Sequence, residues 1–137
     1  MVDPKLHWEQ VYRTKSPTEV SWYRPHLETS LELIEGTGAT REAAIIDIGA
    51  GESTLVDDLL ARGYRSLFAM DLSPTALEVA KSRLGDGAET IHWFCGDVRS
   101  FPFGRHQFDV WHDRAVFHFL TAEDDRAAYV RQVAHAV

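Results

Sequence analysis

The residues best suited to chemistry are aspartates that each stand at the carboxyl end of a predicted strand. These are Asp47, just inside its strand, and Asp71, Asp97 and Asp113. The carboxyl ends of parallel strands meet at one edge of a sheet, so these side chains are expected to line one rim. A single aspartate at such a place is more often a loop or cap residue. Because a fold gains little stability from clustered carboxylates, the group as a whole favours a cationic ligand.

Two glycines follow the first of these aspartates, in the run Asp47-Ile48-Gly49-Ala50-Gly51. Gly49 permits a tight turn, and Gly51 lets the backbone approach a ligand without a Cβ in the way. The helix predicted next directs its positive N-terminal end at the site, which suits a carboxylate or phosphate. Asp71 could accept both hydroxyls of a ribose, and Asp97-Val98 could contact an adenine edge. The pattern therefore predicts a site for an adenosine-bearing ligand.

Apolar runs and helical periodicity supply the elements that position these residues. Strands are predicted at 43–48, 66–70, 90–95 and 108–112, and helices at 26–35, 54–62, 74–84 and from 121 onward. No clear helix is predicted between the third and fourth strands. Strands that alternate with helices imply parallel pairing and right-handed crossovers. The predicted fold class is α/β, a Rossmann-like doubly wound parallel sheet with helices on both faces.

Local signals predict where the helices begin and which faces they bury. Ser73 is a predicted N-cap with Pro74 in the first turn, whereas Thr121 and Asp124 resemble a capping box. Cys95, in an apolar strand, is expected to be a small buried residue. The apolar stripe of the last helix is predicted to comprise Ala127, Val130, Ala134 and Val137.

The composition restricts the class of protein. A chain of 137 residues is long enough for one domain, and its net charge of −7 gives no general attraction to nucleic acid or anionic lipid. A single cysteine excludes an internal disulfide and suits a reducing cytoplasm. The N-terminal residues lack the pattern of a signal peptide, and no apolar run is long enough to span a bilayer. We therefore expect a cytoplasmic protein with no nucleic-acid or membrane partner.

With these motifs, the chain resembles the class I S-adenosylmethionine-dependent methyltransferases over essentially its whole length. Asp47-x-Gly49-x-Gly51 matches the family's first motif, which lies along the methionine part of S-adenosylmethionine. Asp71 matches the acidic residue that holds the ribose, Leu72 beside it packs on the adenine, and Asp97-Val98 matches the pair at the adenine edge. The residues that the resemblance assigns to the cofactor are Asp47, Gly49, Ala50, Gly51, Ser53, Asp71, Leu72, Asp97, Val98 and Asp113.

Two further segments resemble small bacterial members of this family, and also its thiopurine-type and lysine-type branches. They are Trp22-Tyr23-Arg24-Pro25 and the run from Trp111 to His118. The chain departs from the family at Ala115, where those branches carry glycine, and at Ser53, where the first motif often has a third glycine. The resemblance implies a methyl acceptor that is either a small molecule or a protein lysine.

Position in the chain, and for the N-terminal arm the resemblance, suggest roles near the transferred methyl group. Asp113 or His118 could accept a proton from an amine acceptor. An N-terminal arm at 1–25 could either pack on the domain or close over the cofactor as a lid. Its aromatic residues are Trp8, Tyr12, Trp22 and Tyr23. No metal is expected, because ligation by His112 and His118 would need closer spacing and a third ligand.

Two considerations leave other functions open. The sheet of this family has seven strands, so a single domain with its core at 43–137 would lack the last strands and appear truncated. The fourth strand would then be an apolar edge through which the chain could self-associate. Such a chain could also bind cofactor or a partner without transferring a methyl group. A nicotinamide-dependent oxidoreductase is the remaining alternative, but Thr54 stands where its G-x-G-x-x-G fingerprint needs glycine.

Overall fold

A parallel sheet organises the computed structural model, which describes residues 27–51, 53–114 and 116–137. Its four strands are β1 (Ala44–Ile48), β2 (Ser66–Asp71), β3 (His92–Cys95) and β4 (Val110–Asp113), in the order β3-β2-β1-β4. All three pairs are parallel. The chain adds strands to one side of β1 and then returns to its other side, so the strand order reverses between β1 and β4. Ligands of open α/β sheets bind at such a reversal, outside the carboxyl ends of the strands.

Helices cover both faces of this sheet. They are α1 (Glu28–Gly36), α2 (Leu55–Ala61), α3 (Pro74–Leu84) and α4 (Glu123–Ala136), with 3-10 turns at Gly85–Thr90 and Phe117–Phe119. Alternate residues of β1 enter two separate cores. Ile45 packs with the buried residues of α1 and α2, while Ile46 and Ile48 pack with aromatic residues and α4. The doubly wound α/β architecture predicted from the sequence is therefore confirmed.

Most of the predicted elements are present with small shifts of their boundaries. Ser73 caps α3 as expected, because its Oγ accepts the N–H of Ala76 at 3.0 Å and Pro74 follows it in the first turn. Helix α2 starts one residue later than predicted, and β4 lies one or two residues further along the chain. The third strand begins at His92 instead of residue 90, because the preceding residues form a 3-10 turn. The segment 96–109 contains no helix, as predicted.

The predictions for the last helix are wrong in two respects. It begins at Glu123 with Ala122 at the N-cap and no side-chain cap, so Thr121 and Asp124 form no capping box. The predicted stripe also faces outward: Val130 is 56% exposed and Val137 42% exposed, and Ala127 and Ala134 are exposed as well.

The inward face of α4 is set by a larger side chain. Tyr129 and Ala136 are buried, and Val133 packs beside them. Gln132, next to this face, donates from Nε2 to the carbonyls of Val98 and Phe101 at 3.0 and 2.6 Å. One aromatic ring and one amide therefore outweigh several small apolar residues, which lose little when they face water.

The edges of the sheet give two further outcomes. Cys95 is exposed, not buried as expected, because β3 is an edge strand and half-covered. Within the described residues β4 forms the opposite edge, as predicted, and self-association through it stays a prediction. None of the helices in the described part of the chain has the length and apolar character required to cross a bilayer. The N-terminal arm, with Trp8, Tyr12, Trp22 and Tyr23, lies outside the described residues.

Candidate functional site

The glycine turn after β1 lies where three strands end together. Ile48 pairs with Met70 on one side and with Asp113 on the other. The N–H groups of Gly49 and Ala50 both donate to the carbonyl of Met70, at 2.8 and 2.9 Å. Gly49 has φ of +73°, and a Cβ on it would lie 2.4 Å from Val116 Cγ2. Glycine is therefore required here both by the left-handed backbone and by the closeness of Val116.

The turn continues into helix α2 through a short hydrogen-bonded segment. Ala50 and Gly51 are buried, and the N–H of Ser53 donates to the carbonyl of Ala50 at 3.0 Å. The Ser53 hydroxyl accepts the N–H of Leu55 at 3.1 Å. Serine in place of a third glycine thus satisfies one backbone donor at the start of the helix.

Asp71, at the end of β2, is hydrogen-bonded to the glycine turn. Its Oδ2 accepts the N–H of Gly51 at 3.0 Å, and its Oδ1 accepts the N–H of Ser73 at 2.9 Å. Burial raises the pKa of Asp71 to about 6, and the charge of Asp47 acts in the same direction, whereas backbone hydrogen bonds from Ser73, Gly51 and Leu72 act to lower the pKa. Leu72, the next residue, is half-buried.

Asp47 belongs to a buried hydrogen-bonded chain that the sequence did not predict. Its Oδ1 lies 2.8 Å from His112 Nδ1, and His112 Nε2 lies 2.8 Å from Ser30 Oγ. In the described part of the chain, the buried Asp47 Oδ2 has no hydrogen-bond partner. Burial has the largest influence on the pKa of His112 and lowers it, but the hydrogen bond and charge of Asp47 outweigh burial, so the pKa is raised.

Asp97 is neutralised within its own loop. Arg99 donates to its carboxylate from Nη2 at 2.5 Å and from Nε at 2.9 Å, and also pairs with Asp125 at 2.9 Å. The hydrogen bond from Arg99 lowers the pKa of Asp97 below its usual range. Val98, by contrast, is buried. Because Arg99 occupies the carboxylate of Asp97, the backbone of this loop and the side chain of Val98 are better placed to contact an uncharged ligand.

Asp113 caps the 3-10 turn that follows β4. Its oxygens accept the N–H of Val116 at 2.7 Å and the N–H of Phe117 at 3.0 Å. The hydroxyl of Tyr129 also donates to Asp113 and accepts the indole N–H of Trp111 at 2.9 Å. Burial, with the hydrogen bond to Asp113, raises the pKa of Tyr129.

The structure therefore brings Asp47, Asp71 and Asp113 to adjacent strand ends, and it gives each aspartate of the predicted rim an internal partner. The loop-and-cap interpretation accounts for much of their hydrogen bonding. Beside Asp113 an open depression of about 220 Å³ remains, lined by Asp113, Arg114, Phe117, His118 and Tyr129. His118 is exposed there. Among the described residues, no group of histidine, cysteine, aspartate or glutamate could hold a metal ion.

Sequence reasoning missed three functional candidates. Ser30 lies on a helix and carried no motif, so no local signal could identify it. For His112 the sequence argued against metal ligation but did not indicate its pairing in register with Asp47 across β1 and β4. Tyr129 could have been found as the only aromatic residue of the last helix.

Comparisons with known proteins agree with this geometry. A family model described as a methyltransferase domain matches residues 45–137. Malonyl-[acyl-carrier protein] O-methyltransferase from Anoxybacillus flavithermus is 36% identical over 80 residues, which cover 57% of this chain and 29% of that protein. The eEF1A lysine and N-terminal methyltransferase of Mus musculus is 24% identical over 127 residues, covering 93% of this chain and 18% of that protein.

A solved structure extends the likeness to the fold. An amino pentose methyltransferase from Micromonospora echinaspora, solved with SAM bound, has a TM-score of 0.63 and 25% identity to this chain. The match covers 96% of this chain and 52% of that one. The chain thus spans about half the length of this structure and less than a third of the two curated relatives. These matches give no support to a nicotinamide-dependent oxidoreductase.

Proposed function

Because the chain belongs to the class I S-adenosylmethionine-dependent methyltransferases, we propose that it transfers a methyl group to a small-molecule or protein acceptor. S-adenosylmethionine is the cofactor of this family. The observation that carries the proposal is the glycine turn at the strand reversal. There the position of Gly49 leaves no room for a side chain, and the carboxylates of Asp47 and Asp71 near the turn are buried.

The hydrogen bonding of Asp71 fits the ribose of this cofactor. Each of its oxygens accepts one backbone N–H, and a carboxylate oxygen has a second lone pair that could accept a ribose hydroxyl. Asp71 would therefore hold the ribose while it keeps the turn and the start of α3 in place. A ligand without those hydroxyls would leave these lone pairs unmatched.

The remaining predicted cofactor residues divide by charge and burial. We propose that Gly49, Ala50, Gly51 and Ser53 follow the methionine part, with the negative charge of Asp47 behind them. We propose Leu72 and Val98 as the contacts of the adenine, because they are apolar and follow the ends of the neighbouring strands β2 and β3. Asp97 would act at the adenine edge through its backbone, since Arg99 occupies its carboxylate.

The residues around the depression suit the acceptor. When bound, S-adenosylmethionine supplies a methyl group on a positively charged sulfur. The chain's own contribution is to hold an acceptor in line and away from water, which in well-oriented reactions contributes about 7 to 11 kcal/mol. Phe117 and Tyr129 give the depression apolar walls, with ring centroids 5.1 Å apart.

Within this depression we propose different roles for the two predicted proton acceptors. His118 is exposed and could take a proton from an amine acceptor. Asp113 accepts the N–H groups of the turn that carries His118, so we expect it to position that turn. One curated relative is named for eEF1A lysine and one solved structure for an amino pentose, which supports keeping both acceptor classes.

Calorimetry with S-adenosylmethionine and S-adenosylhomocysteine tests the cofactor half of the proposal. The chain is expected to bind both ligands, and Asp71→Ala is expected to weaken both by at least about tenfold, since two hydrogen bonds to a charged group are lost. Asp86→Ala is the matched control, because Asp86 is exposed. Absence of binding by the unsubstituted chain would contradict the proposal.

Transfer of a labelled methyl group tests the other half. A panel of small thiols, amines and carboxylic acids is compared with lysine-containing proteins as acceptors, and His118→Ala and Asp113→Asn are measured alongside. We expect transfer to one acceptor class, with turnover reduced by His118→Ala and cofactor affinity unchanged. Binding without transfer to any acceptor would instead favour a non-catalytic, cofactor-binding interaction protein.

A further inference from the structure

A buried chain of three side chains links helix α1 to the strand that leads into the glycine turn. Ser30 Oγ, the ring of His112 and Asp47 Oδ1 are joined by contacts of 2.8 Å each. The side chain of His112 is 11% exposed and that of Asp47 is 2% exposed. The three residues come from α1, β4 and β1. These hydrogen-bonded side chains therefore lie across the strand reversal where the cofactor is proposed to bind.

The hydrogen bonds of His112 are compatible with two charge states. Neutral His112 donates from Nδ1 to Asp47 and accepts the Ser30 hydroxyl at Nε2. Protonated His112 donates from both nitrogens, and the Ser30 oxygen then accepts. The ring therefore need not turn when it gains a proton, and only the net charge beside Asp47 changes.

Charged groups reach His112 from several elements. The charges of Asp47 on β1 and of Asp113 on β4 raise the pKa of His112, whereas the charge of Arg114 lowers it. Asp71 on β2 interacts with Asp47, and α1 contributes the uncharged hydroxyl of Ser30. In a buried environment a change of one charge acts more strongly than at the surface. The charge state of His112 therefore determines whether the Asp47–His112 pair beside the site is negative or neutral overall.

We propose that His112 is a specificity-determining residue that sets the preference of the site for the sulfonium cofactor over its demethylated thioether product. This inference rests on the proposed function. Neutral His112 leaves Asp47 negative, which favours the positively charged sulfonium. Protonated His112 cancels that charge, and the advantage of the sulfonium over the thioether decreases.

The two ligands provide a direct measure of this effect. S-adenosylmethionine and S-adenosylhomocysteine share adenosine, amino and carboxylate groups, and they differ by one methyl group and one positive charge. A substitution that merely distorts the site weakens both ligands and leaves the ratio of their dissociation constants unchanged. A change in the charge of His112 alters the ratio. The pKa of His112 is raised above its usual value by the hydrogen bond and charge of Asp47, so the protonated form persists to higher pH than in a free histidine.

The experiment is calorimetry of both ligands between pH 5.5 and 8.5 with the full chain. We expect the preference for S-adenosylmethionine to fall about tenfold as the pH decreases through the titration of His112. His112→Gln, which stays uncharged, should lose the part of this change that comes from His112 and keep only the part that comes from Asp71, whose pKa is raised to about 6. Ser30→Ala is the matched control: it removes the partner of Nε2 but keeps the Asp47–His112 pair, so the dependence on pH should persist.

The unsubstituted chain provides a second measurement that does not depend on the folding of a variant. Near the pKa of His112, binding of S-adenosylmethionine should release more protons than binding of S-adenosylhomocysteine, as measured in buffers of different ionisation enthalpy. Equal proton release, a ratio that does not vary with pH, or the same variation in His112→Gln would overturn this inference alone. If neither ligand binds, the proposed function is overturned and the inference with it.

Discussion

Gly49 is held by two constraints that no side chain satisfies. Its φ is +73°, and a Cβ on it would meet Val116 Cγ2 at 2.4 Å. Its N–H donates to Met70 at 2.8 Å, so the turn cannot move aside without breaking a bond to β2. This residue therefore fixes the path of the backbone along which the methionine part of the cofactor is proposed to lie.

The substitution Gly49→Ala is expected to lower the free energy of unfolding by about 3 kcal/mol, because left-handed strain adds to the clash with Val116. Gly38→Ala is the matched control, since Gly38 has φ of +77° and nothing within 4 Å of the added Cβ. It should cost only about 1 kcal/mol. Urea unfolding measures both. Equal losses would contradict the role of Val116, and Gly49→Ala with Val116→Ala should recover the difference.

Asp71 makes stability depend on pH in the direction opposite to that of most aspartates. Burial raises its pKa from 3.8 to about 6, so the folded chain binds more protons than the unfolded chain between these values. The contribution of Asp71 to stability is fully present below pH 3.8 and is lost as the pH rises through about 6.

This pH dependence can be isolated with Asp71→Asn, which does not titrate. Relative to that variant, the free energy of unfolding of the unsubstituted chain should fall by up to about 3 kcal/mol from pH 4 to pH 7. Denaturant titrations at several pH values measure it. If the difference between the two chains stays constant with pH, folding does not raise the pKa of Asp71 and the prediction fails.

Helix α4 shows how one aromatic residue decides which face of a helix is buried. Both of its faces carry small apolar residues, but Tyr129 reaches Asp113 and Trp111 through its hydroxyl. Its ring also packs against Phe117 at the wall of the depression. The helix thus contributes to the proposed acceptor site as well as to the core.

Two valines on α4 offer a matched test of this orientation. Val133→Asp places a charge against the core that contains Ile46 and Ile48. It should lower the free energy of unfolding by about 3 kcal/mol. Val130→Asp, at a position 56% exposed, should change it by less than about 0.5 kcal/mol. Thermal or urea unfolding measures both. A larger loss of stability at Val130 than at Val133 would instead support the orientation predicted from the sequence pattern.

The sheet as a whole has β4 at one edge, with β1 as its pairing partner among the described residues. An edge strand presents unpaired N–H and C=O groups to other chains. We therefore predict that the mean mass in solution, measured by light scattering, rises above 15.5 kDa as the concentration increases. A constant monomer mass would contradict association through this edge.

Much of the architecture could be predicted because its signals are local. The apolar runs of β1 and β2 and the pair Ser73-Pro74 each act within a few residues, and the structure confirms them. The last helix could not be oriented in this way, since alanine and valine occur on both of its faces and only the neighbouring Asp113 and Trp111 select Tyr129. Cys95 was misplaced for a similar reason: its burial depends on the position of β3 in the sheet.

The sequence by itself determined the class of fold, the glycine turn and the family, because these depend on motifs whose residues are close together in the chain. Only the tertiary structure decided which carboxylates are compensated and by what. His112 lies 65 residues from Asp47 and 82 from Ser30, yet parallel pairing of β1 with β4 and the packing of α1 bring them into contact. Such a contact depends on strand register and helix packing, which no local pattern encodes.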